Sequence, residues 1–184
     1  MSSVSRGQHR FSFRPVQPED LPLITRWRRA EHVERWWGQP GDMEAEYFRH
    51  GEPVHYFLAL MDGSPVGVIE HYRWSDYPSE AEPLGAQSGE DGIDYFLGEA
   101  GLTGRGLGPA MLQSFLTQIV RADSSVRGVR VSVSESNRPS WRCLEKLGFR
   151  REREGVADAV EPGPHFVYAL GFGEEADVAD HDVQ

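Results

Sequence analysis

Cysteine and long hydrophobic runs are nearly absent from this sequence, and each absence excludes a class of protein. The single cysteine, Cys143, cannot form an internal disulfide and is typical of a reducing compartment, so we expect the protein in the cytoplasm. No apolar run approaches the roughly 20 residues of a membrane-spanning helix, and the first ten residues, MSSVSRGQHR, lack the apolar core of a signal peptide. We therefore expect no membrane partner.

Positive charge is also scarce. Lys146 is the only lysine, and 19 basic side chains stand against 29 acidic ones, which gives a formal net charge of −10. Because phosphate binding requires a basic face, this balance argues against a nucleic-acid partner and favours a small cationic one. An acidic surface that only keeps the protein soluble explains the same balance, and this alternative stays open.

The length of 184 residues suits one domain with a substantial core. We predict a single domain over residues 11–172. It lies between a disordered N-terminus at residues 1–10 and an acidic, disordered tail at residues 173–184, which has few large apolar side chains.

Hydrophobic periodicity predicts interleaved strands and helices. Strands are predicted at residues 11–16, 54–61, 65–74, 92–98, 128–134, 149–153 and 165–172. Helices are predicted at residues 17–37, 43–50, 108–122 and 137–149, and residues 75–91 are predicted to form a long acidic loop. The pattern predicts an α/β (α+β) fold, a mixed sheet with helices on its faces.

A glycine-rich stretch, LTGRGLGPAM at residues 102–111, separates a predicted strand from a predicted helix. It does not match a P-loop, because Leu107 stands where the lysine is required, nor a dinucleotide fingerprint, because Pro109 replaces the last glycine. Free amides at a helix N-terminus would still bind a pyrophosphate. A plain connecting turn is the alternative.

The order of these segments resembles the GCN5-related N-acetyltransferase (GNAT) superfamily over residues 11–170. The superfamily resemblance is carried by GIDYFLG, LTGRGLGPAM and SNRPSWRCLEKLGF, and a further similarity to the aminoglycoside 6'-N-acetyltransferases by ERWWGQP, GIDYFLG, GRGLG and RCLEKLGF. The resemblance implies the GNAT fold, a mixed and mostly antiparallel sheet whose fourth and fifth strands splay apart around the pantetheine arm of acetyl-CoA. It implies acetyl-CoA as the acyl donor and no metal.

The resemblance also assigns residues to the coenzyme. Those expected to contact it are Phe96, Leu97, Leu102, Gly104, Arg105, Gly106, Leu107, Gly108 and Asn137. Asn137 suits an ordinary helix cap equally well. Backbone N–H groups of Leu97 or Gly98 are the expected donors to the oxyanion that develops on the thioester.

Acetyl transfer to an amine requires a lone pair, so an ammonium substrate must first lose a proton. Asp94 matches the acidic residue that the similar aminoglycoside-modifying enzymes use as general base or substrate anchor, and strand alternation places it on the face shared with Phe96. The alternative is an acid that closes a turn. The residues expected to bind substrate are Trp36, Trp37, Asp94 and Tyr95.

Two positions depart from the family pattern. Leu144 stands where the family has a tyrosine that protonates the leaving thiolate, so that a water, another hydroxyl such as Tyr168, or no acid at all must serve. Ser132 stands where the aminoglycoside-modifying relatives have an aspartate. Acids of the loop at residues 75–91 are possible substitutes as anionic contacts, although a solvated loop explains them as well.

We therefore predict an acetyl-CoA-dependent N-acetyltransferase, a monomer or homodimer, that acts on a primary amine of a small cationic substrate. An aminoglycoside 6'-amine is the first expectation. Siderophore-type and protein N-terminal acyltransferases are the enzymatic alternatives, and a non-catalytic acyl-CoA-binding module is the alternative of another class.

Overall fold

The structure, a computed structural model, describes residues 9–49, 51–157 and 163–173. Their strands form a seven-stranded sheet in the order β1-β2-β3-β4-β5-β7-β6. The strands are β1 Phe11–Pro15, β2 Val54–Met61, β3 Ser64–Arg73, β4 Glu90–Leu97, β5 Gly128–Ser134, β6 Arg150–Ala157 and β7 Pro164–Gly171. Neighbours are antiparallel except β4 and β5, which are parallel.

Helices cover both faces of this sheet. They are α1 Leu21–Arg28, α2 Glu31–Trp37, α3 Met43–Phe48, α4 Pro78–Leu84, α5 Leu107–Phe115 and α6 Arg138–Lys146, and α5 continues through a π-helical turn at Leu116–Val120. One face packs on α5 and α6 around Ile93, Phe115 and Leu144, which are fully buried. The other packs on α1, α2 and α3 around Ile24, Trp27 and Phe96. The predicted mixed, mostly antiparallel sheet is confirmed.

The parallel pair β4–β5 is short, and this feature positions the site. The two strands pair only at Glu90 with Gly128 and at Asp91 with Val129. Beyond these residues β5 continues along β7 as far as Ser134, while β4 continues along β3 as far as Leu97. The strands therefore separate and leave a gap in the middle of the sheet, as the resemblance implied.

Two predicted elements differ from the structure. The helix predicted over residues 17–37 is two helices, because Ala30 has extended backbone (φ −71°, ψ 132°) and breaks the hydrogen-bond ladder. The loop predicted over residues 75–91 contains α4 and the start of β4. Its composition concealed a helix, since Pro78 occupies a first-turn position where no amide partner is needed and Gly85 ends the helix in the left-handed region.

The predicted terminal segments lie outside the described residues, apart from His9, Arg10 and Gly173. The side chain of Asp62 accepts hydrogen bonds from the Arg10 amide at 3.0 Å and lies 2.8 Å from the His9 ring. Within the described residues, none of the helices has the length and apolar character needed to cross a bilayer.

Candidate active site

The edge of β4 presents backbone groups to the gap between β4 and β5. The Gly98 amide donates to the Val66 carbonyl of the neighbouring chain segment at 2.9 Å. Because amides in an antiparallel ladder alternate in direction, those of Leu97 and Tyr95 point away from β3 and into the gap. Leu97 therefore remains available as the expected donor, whereas the alternative, Gly98, is excluded because its N–H is already bonded within the sheet.

The glycine-rich stretch leads from the end of β4 to the start of α5, beside the same gap. Gly104 (φ 70°) and Gly106 (φ 79°) have left-handed backbone, which side chains other than glycine rarely adopt. A Cβ built on either glycine would meet nothing within 4 Å, so the backbone there is accessible. Arg105 between them is exposed, and Gly106 caps α5 without a side chain. The residues therefore fit an anion carried by a flexible arm in the gap.

On the opposite side of β4, Asp94 lies in a group of acidic and tyrosine side chains. It is directly opposite Glu70 of β3, and its Oδ2 accepts a hydrogen bond from the Tyr72 hydroxyl at 3.0 Å. Phe96 is on the same face, where its ring packs edge-on against Trp37 with centroids 5.0 Å apart. As strand alternation predicted, the side chains of Asp94 and Phe96 lie on the same face of β4.

Glu70, opposite Asp94, lies in an environment that disfavours its charged form. Burial raises the pKa of Glu70 well above its usual range, the charges of Asp94 and Glu46 raise it further, and Arg28 opposes them. The guanidinium of Arg28 is itself engaged, since it donates to Glu46 Oε1 at 2.5 Å and to the Trp37 carbonyl at 2.8 Å. The face therefore holds two carboxyl groups side by side, one of which resists ionisation.

A gap in the sheet with a free amide edge, an open glycine loop and a carboxylate beside it is an arrangement suited to acyl transfer from a long thioester to an amine. A family model described as an acetyltransferase (GNAT) domain matches residues 17–157. The chain belongs to the GNAT acetyltransferase family. It is therefore an N-acetyltransferase.

Comparison with known proteins indicates which GNAT enzymes this chain is similar to. The aminoglycoside N(6')-acetyltransferase type 1 of Klebsiella pneumoniae is 28% identical over 167 residues, which cover 82% of this chain and 79% of that protein. A kanamycin resistance protein of Rhizobium radiobacter is 33% identical over 85 residues, 46% of this chain and 71% of that protein. The solved structure of aminoglycoside acetyltransferase AAC(6')-Ib with coenzyme A and kanamycin has a TM-score of 0.74 at 26% identity, over 88% of this chain and 95% of that one.

Several residues expected at the coenzyme lie where this GNAT fold places the gap. Leu102 is half-buried at the start of the glycine-rich stretch, and Leu107 and Gly108 begin α5, where a Cβ on Gly108 would lie 3.6 Å from Cys143 Sγ. The Asn137 Oδ1 accepts from the Ser140 amide at 3.3 Å, so the helix cap that was the alternative for Asn137 is present.

Phe96 is different from these coenzyme candidates. Its ring packs between Trp27 and Trp37, and its backbone pairs with Val68 of β3. The ring and the backbone groups of Phe96 therefore point away from the gap, and the structure does not support the expected contact of Phe96 with the coenzyme.

The substrate candidates are divided between the two faces. Trp37 packs on Phe96 and so lies on the face of Asp94, whereas the ring contact of its neighbour Trp36 is with Arg35, whose guanidinium is 4.9 Å from the ring centroid. Tyr95 lies on the α6 face, where its hydroxyl is 3.0 Å from Ser140 Oγ. The structure therefore does not bring Tyr95 together with Asp94, and an acceptor on the Asp94 face does not reach its hydroxyl.

On the α6 side of the gap, a leucine stands where the GNAT family has a tyrosine. Leu144 is fully buried in the core, and the alternative acid, Tyr168, donates its hydroxyl to Glu145 Oε1 at 2.8 Å. Burial, with Glu145 next in effect, raises the pKa of Tyr168 to about 12. Burial likewise raises the pKa of the Cys143 thiol to about 11, which disfavours the thiolate that a nucleophilic cysteine requires.

Two acids of the segment predicted as a loop at residues 75–91, and one acid after β5, have partners within the fold. Glu90 accepts from the Arg130 guanidinium at 2.7 Å, and Asp91 Oδ2 lies 2.7 Å from His71 Nε2 on the α5 face. Glu135 follows the end of β5, and its Oε1 accepts from the Gly155 amide at 2.9 Å. These acids are structural.

Sequence reasoning missed Glu70 and Tyr72. Both lie on β3, and each is directly opposite a residue of β4, Glu70 opposite Asp94 and Tyr72 opposite Gly92. Their alternation with His71 placed them on one face of the strand, but only the register between the strands shows that this face is that of Asp94.

Proposed function

We propose that this GNAT enzyme transfers the acetyl group of acetyl-CoA to the 6'-amine of an aminoglycoside. The observation that carries the proposal is the Asp94 carboxylate, held beside the gap on a face with a second carboxyl group. Such a face attracts a polycation. The similarity to the Klebsiella pneumoniae enzyme, over 82% of this chain, supports the same acceptor.

The coenzyme would be held by backbone groups. We assign its pyrophosphate to the amides around Gly104, Gly106 and Leu107, with Arg105 adding positive charge, because the first turn of a helix carries free N–H groups and a favourable dipole. The Leu97 amide is assigned to the thioester carbonyl oxygen. Acetyl-CoA supplies an acyl group activated as a thioester.

Asp94 prepares the acceptor. Its carboxylate binds the ammonium group, takes one proton from it, and leaves a neutral amine with a free lone pair, a role for which general bases typically contribute about 10²- to 10⁴-fold in rate. The hydrogen bond from Tyr72 orients that carboxylate. With Leu144 on α6, the thiolate leaves without a helix tyrosine to protonate it, so a water is the proton source we propose.

Localisation in the cytoplasm and the monomeric or dimeric state stay predictions from the sequence. The same holds for the boundaries at residues 11 and 172.

A thiol-release assay with a panel of amines tests the proposed function. Purified protein, acetyl-CoA and one acceptor at a time are combined, with kanamycin and ribostamycin, polyamines, hydroxylamines and peptides as acceptors. We expect turnover with the aminoglycosides, and mass spectrometry and NMR should place one acetyl group on the 6'-amine. Turnover with hydroxylamines alone would support the siderophore-type alternative, and turnover with peptides alone the N-terminal one.

The variant Asp94→Asn tests the assigned base. We expect kcat to fall at least 100-fold, while the Kd of acetyl-CoA, measured by calorimetry, changes less than about twofold because Asp94 lies on the other side of β4 from the glycine loop. Full activity in Asp94→Asn would remove Asp94 from the mechanism. Tight acetyl-CoA binding with no turnover on any amine would support the non-catalytic binding module.

A further inference from the structure

Glu70 and Asp94 form an unusual pair. They are directly opposite each other on neighbouring antiparallel strands, so their side chains share one face, and each is half-buried. Like charges at such positions repel, and sheets ordinarily avoid them. The pair therefore costs stability unless something binds there.

Among the described residues, Glu70 has no hydrogen-bonded or ion-paired partner of the kind that other shielded acids have. Asp20 accepts two hydrogen bonds from Arg14, at 2.7 and 2.8 Å, and Glu90 accepts from Arg130. Within the described residues no hydrogen bond reaches the Glu70 carboxyl group. The cation that acts on it, Arg28, is already bonded to Glu46.

Hydroxyl groups beside the pair are also unsatisfied. Tyr47 is only 6% exposed, and its hydroxyl interacts with the Arg28 guanidinium without a well-formed hydrogen bond, while the Tyr77 hydroxyl has no hydrogen-bond partner among the described residues. Burial and then the charge of Glu70 raise the pKa of Tyr47, and burial, Glu52 and Asp76, followed by Glu70, raise the pKa of Tyr77. Buried polar groups are nearly always hydrogen-bonded, so two hydroxyls without a well-formed hydrogen bond, in the field of one carboxyl group, indicate a place for a polar ligand.

We propose that Glu70 is a substrate-binding residue, which together with Asp94 binds two ammonium groups of a polyamine acceptor. This inference rests on the proposed function and extends it. Asp94 binds the reacting ammonium, and Glu70 binds a second one, with the tyrosine hydroxyls around it. Glu70 thereby supplies the anionic contact that Ser132, in place of an aspartate, does not.

Proton release should accompany this binding. In the free protein, burial and the neighbouring carboxylates keep the pKa of Glu70 high. The titratable and charged groups that face it are Asp94 on β4, Tyr56 on β2, Glu46 and Tyr47 on α3, and Arg28 on α1. A bound ammonium favours the ionised form, so Glu70 loses a proton when the acceptor binds. Affinity for the acceptor should therefore rise with pH through the range in which Glu70 ionises.

Titration calorimetry with kanamycin as the probe tests the inference. Wild type, Glu70→Gln and Glu70→Asp are titrated with coenzyme A present, in two buffers of different ionisation enthalpy, so that released protons are counted. Glu44→Gln, an exposed acid on α3, is the matched control for loss of one charge. Thermal melting shows that each variant is folded.

We expect Glu70→Gln to weaken kanamycin binding at least tenfold and to release up to about one proton fewer than wild type, since one proton separates the two forms of a carboxyl group. Glu70→Asp should recover part of the affinity, and Glu44→Gln should match wild type. In wild type, 1,4-diaminobutane should compete with kanamycin better than 1-aminobutane does, and Glu70→Gln should remove this difference.

The inference would be overturned if folded Glu70→Gln bound kanamycin with the same affinity as wild type and released the same number of protons. It would also be overturned if the wild-type protein bound neither kanamycin nor 1,4-diaminobutane. The proposed function fails separately. If wild type binds kanamycin through Glu70 but does not acetylate it, the role of Glu70 stands and the aminoglycoside reaction does not.

Discussion

The carboxylate of Asp94 depends on a glycine two residues before it. A Cβ on Gly92 would lie 2.2 Å from the ring of Tyr72, so only glycine leaves room for that ring against β4. The ring also packs edge-on against Trp74 and Tyr77, with centroids 5.1 and 5.6 Å away. Tyr72 is therefore held in place, and its hydroxyl is directed at Asp94.

Tyr72→Phe should separate this hydrogen bond from the packing. The ring contacts stay, so the melting temperature should change little, while loss of a hydrogen bond to a charged group costs about 1.5 to 3 kcal/mol. We expect kcat/KM for kanamycin to fall about tenfold or more. In an Asp94→Asn background the same change should cost much less, and equal losses in both backgrounds would show that Tyr72 does not act through Asp94.

At the scale of elements, the loop before α5 requires glycine for two reasons. Gly104 and Gly106 have positive φ, and the absence of a Cβ keeps their amides open to an anion. Pro109 lies in the first turn of α5, where it removes one donor but disrupts no internal hydrogen bond. The start of α5 therefore has accessible amides and no side-chain cap, as the proposed coenzyme site requires.

Gly106→Ala should weaken the binding of acetyl-CoA. Left-handed backbone costs a residue with a side chain about 1 to 2 kcal/mol, and since the added methyl group meets no neighbour, the effect is conformational. We expect the Kd from calorimetry to rise about fivefold or more. Gly41→Ala is the control, because Gly41 has open space and no positive φ, and equal Kd values for the two variants would refute this account.

At the scale of the molecule, stability and substrate binding oppose each other on the Asp94 face. A carboxyl group whose pKa is raised by folding binds its proton more tightly in the folded than in the unfolded chain. Its contribution to stability is complete below the unfolded pKa, about 4.3 for glutamate, and is lost as pH rises through the folded pKa. Glu70 should therefore make the protein less stable at alkaline pH.

The pH dependence of unfolding tests this trade-off. The free energy of unfolding of Glu70→Gln, from urea titrations, should be close to that of wild type near pH 4.5 and should exceed it by a growing amount towards pH 8. The difference between the two proteins isolates Glu70, since other titrating groups are shared. A difference that is constant with pH, or that shrinks, would contradict the raised pKa.

The sequence by itself determined the order of the seven strands and of the helices α3, α5 and α6, because periodicity and glycine or proline breaks are local signals; it did not show α4 or the break between α1 and α2. It also determined that Asp94 and Phe96 share a face, which follows from strand alternation. The tertiary structure alone decided that Glu70 faces Asp94 and that Tyr72 is bonded to it, because the register between β3 and β4 depends on contacts between distant parts of the chain. It also decided that Glu90 is bonded to Arg130 and Asp91 to His71, because these residues come together only in the folded sheet.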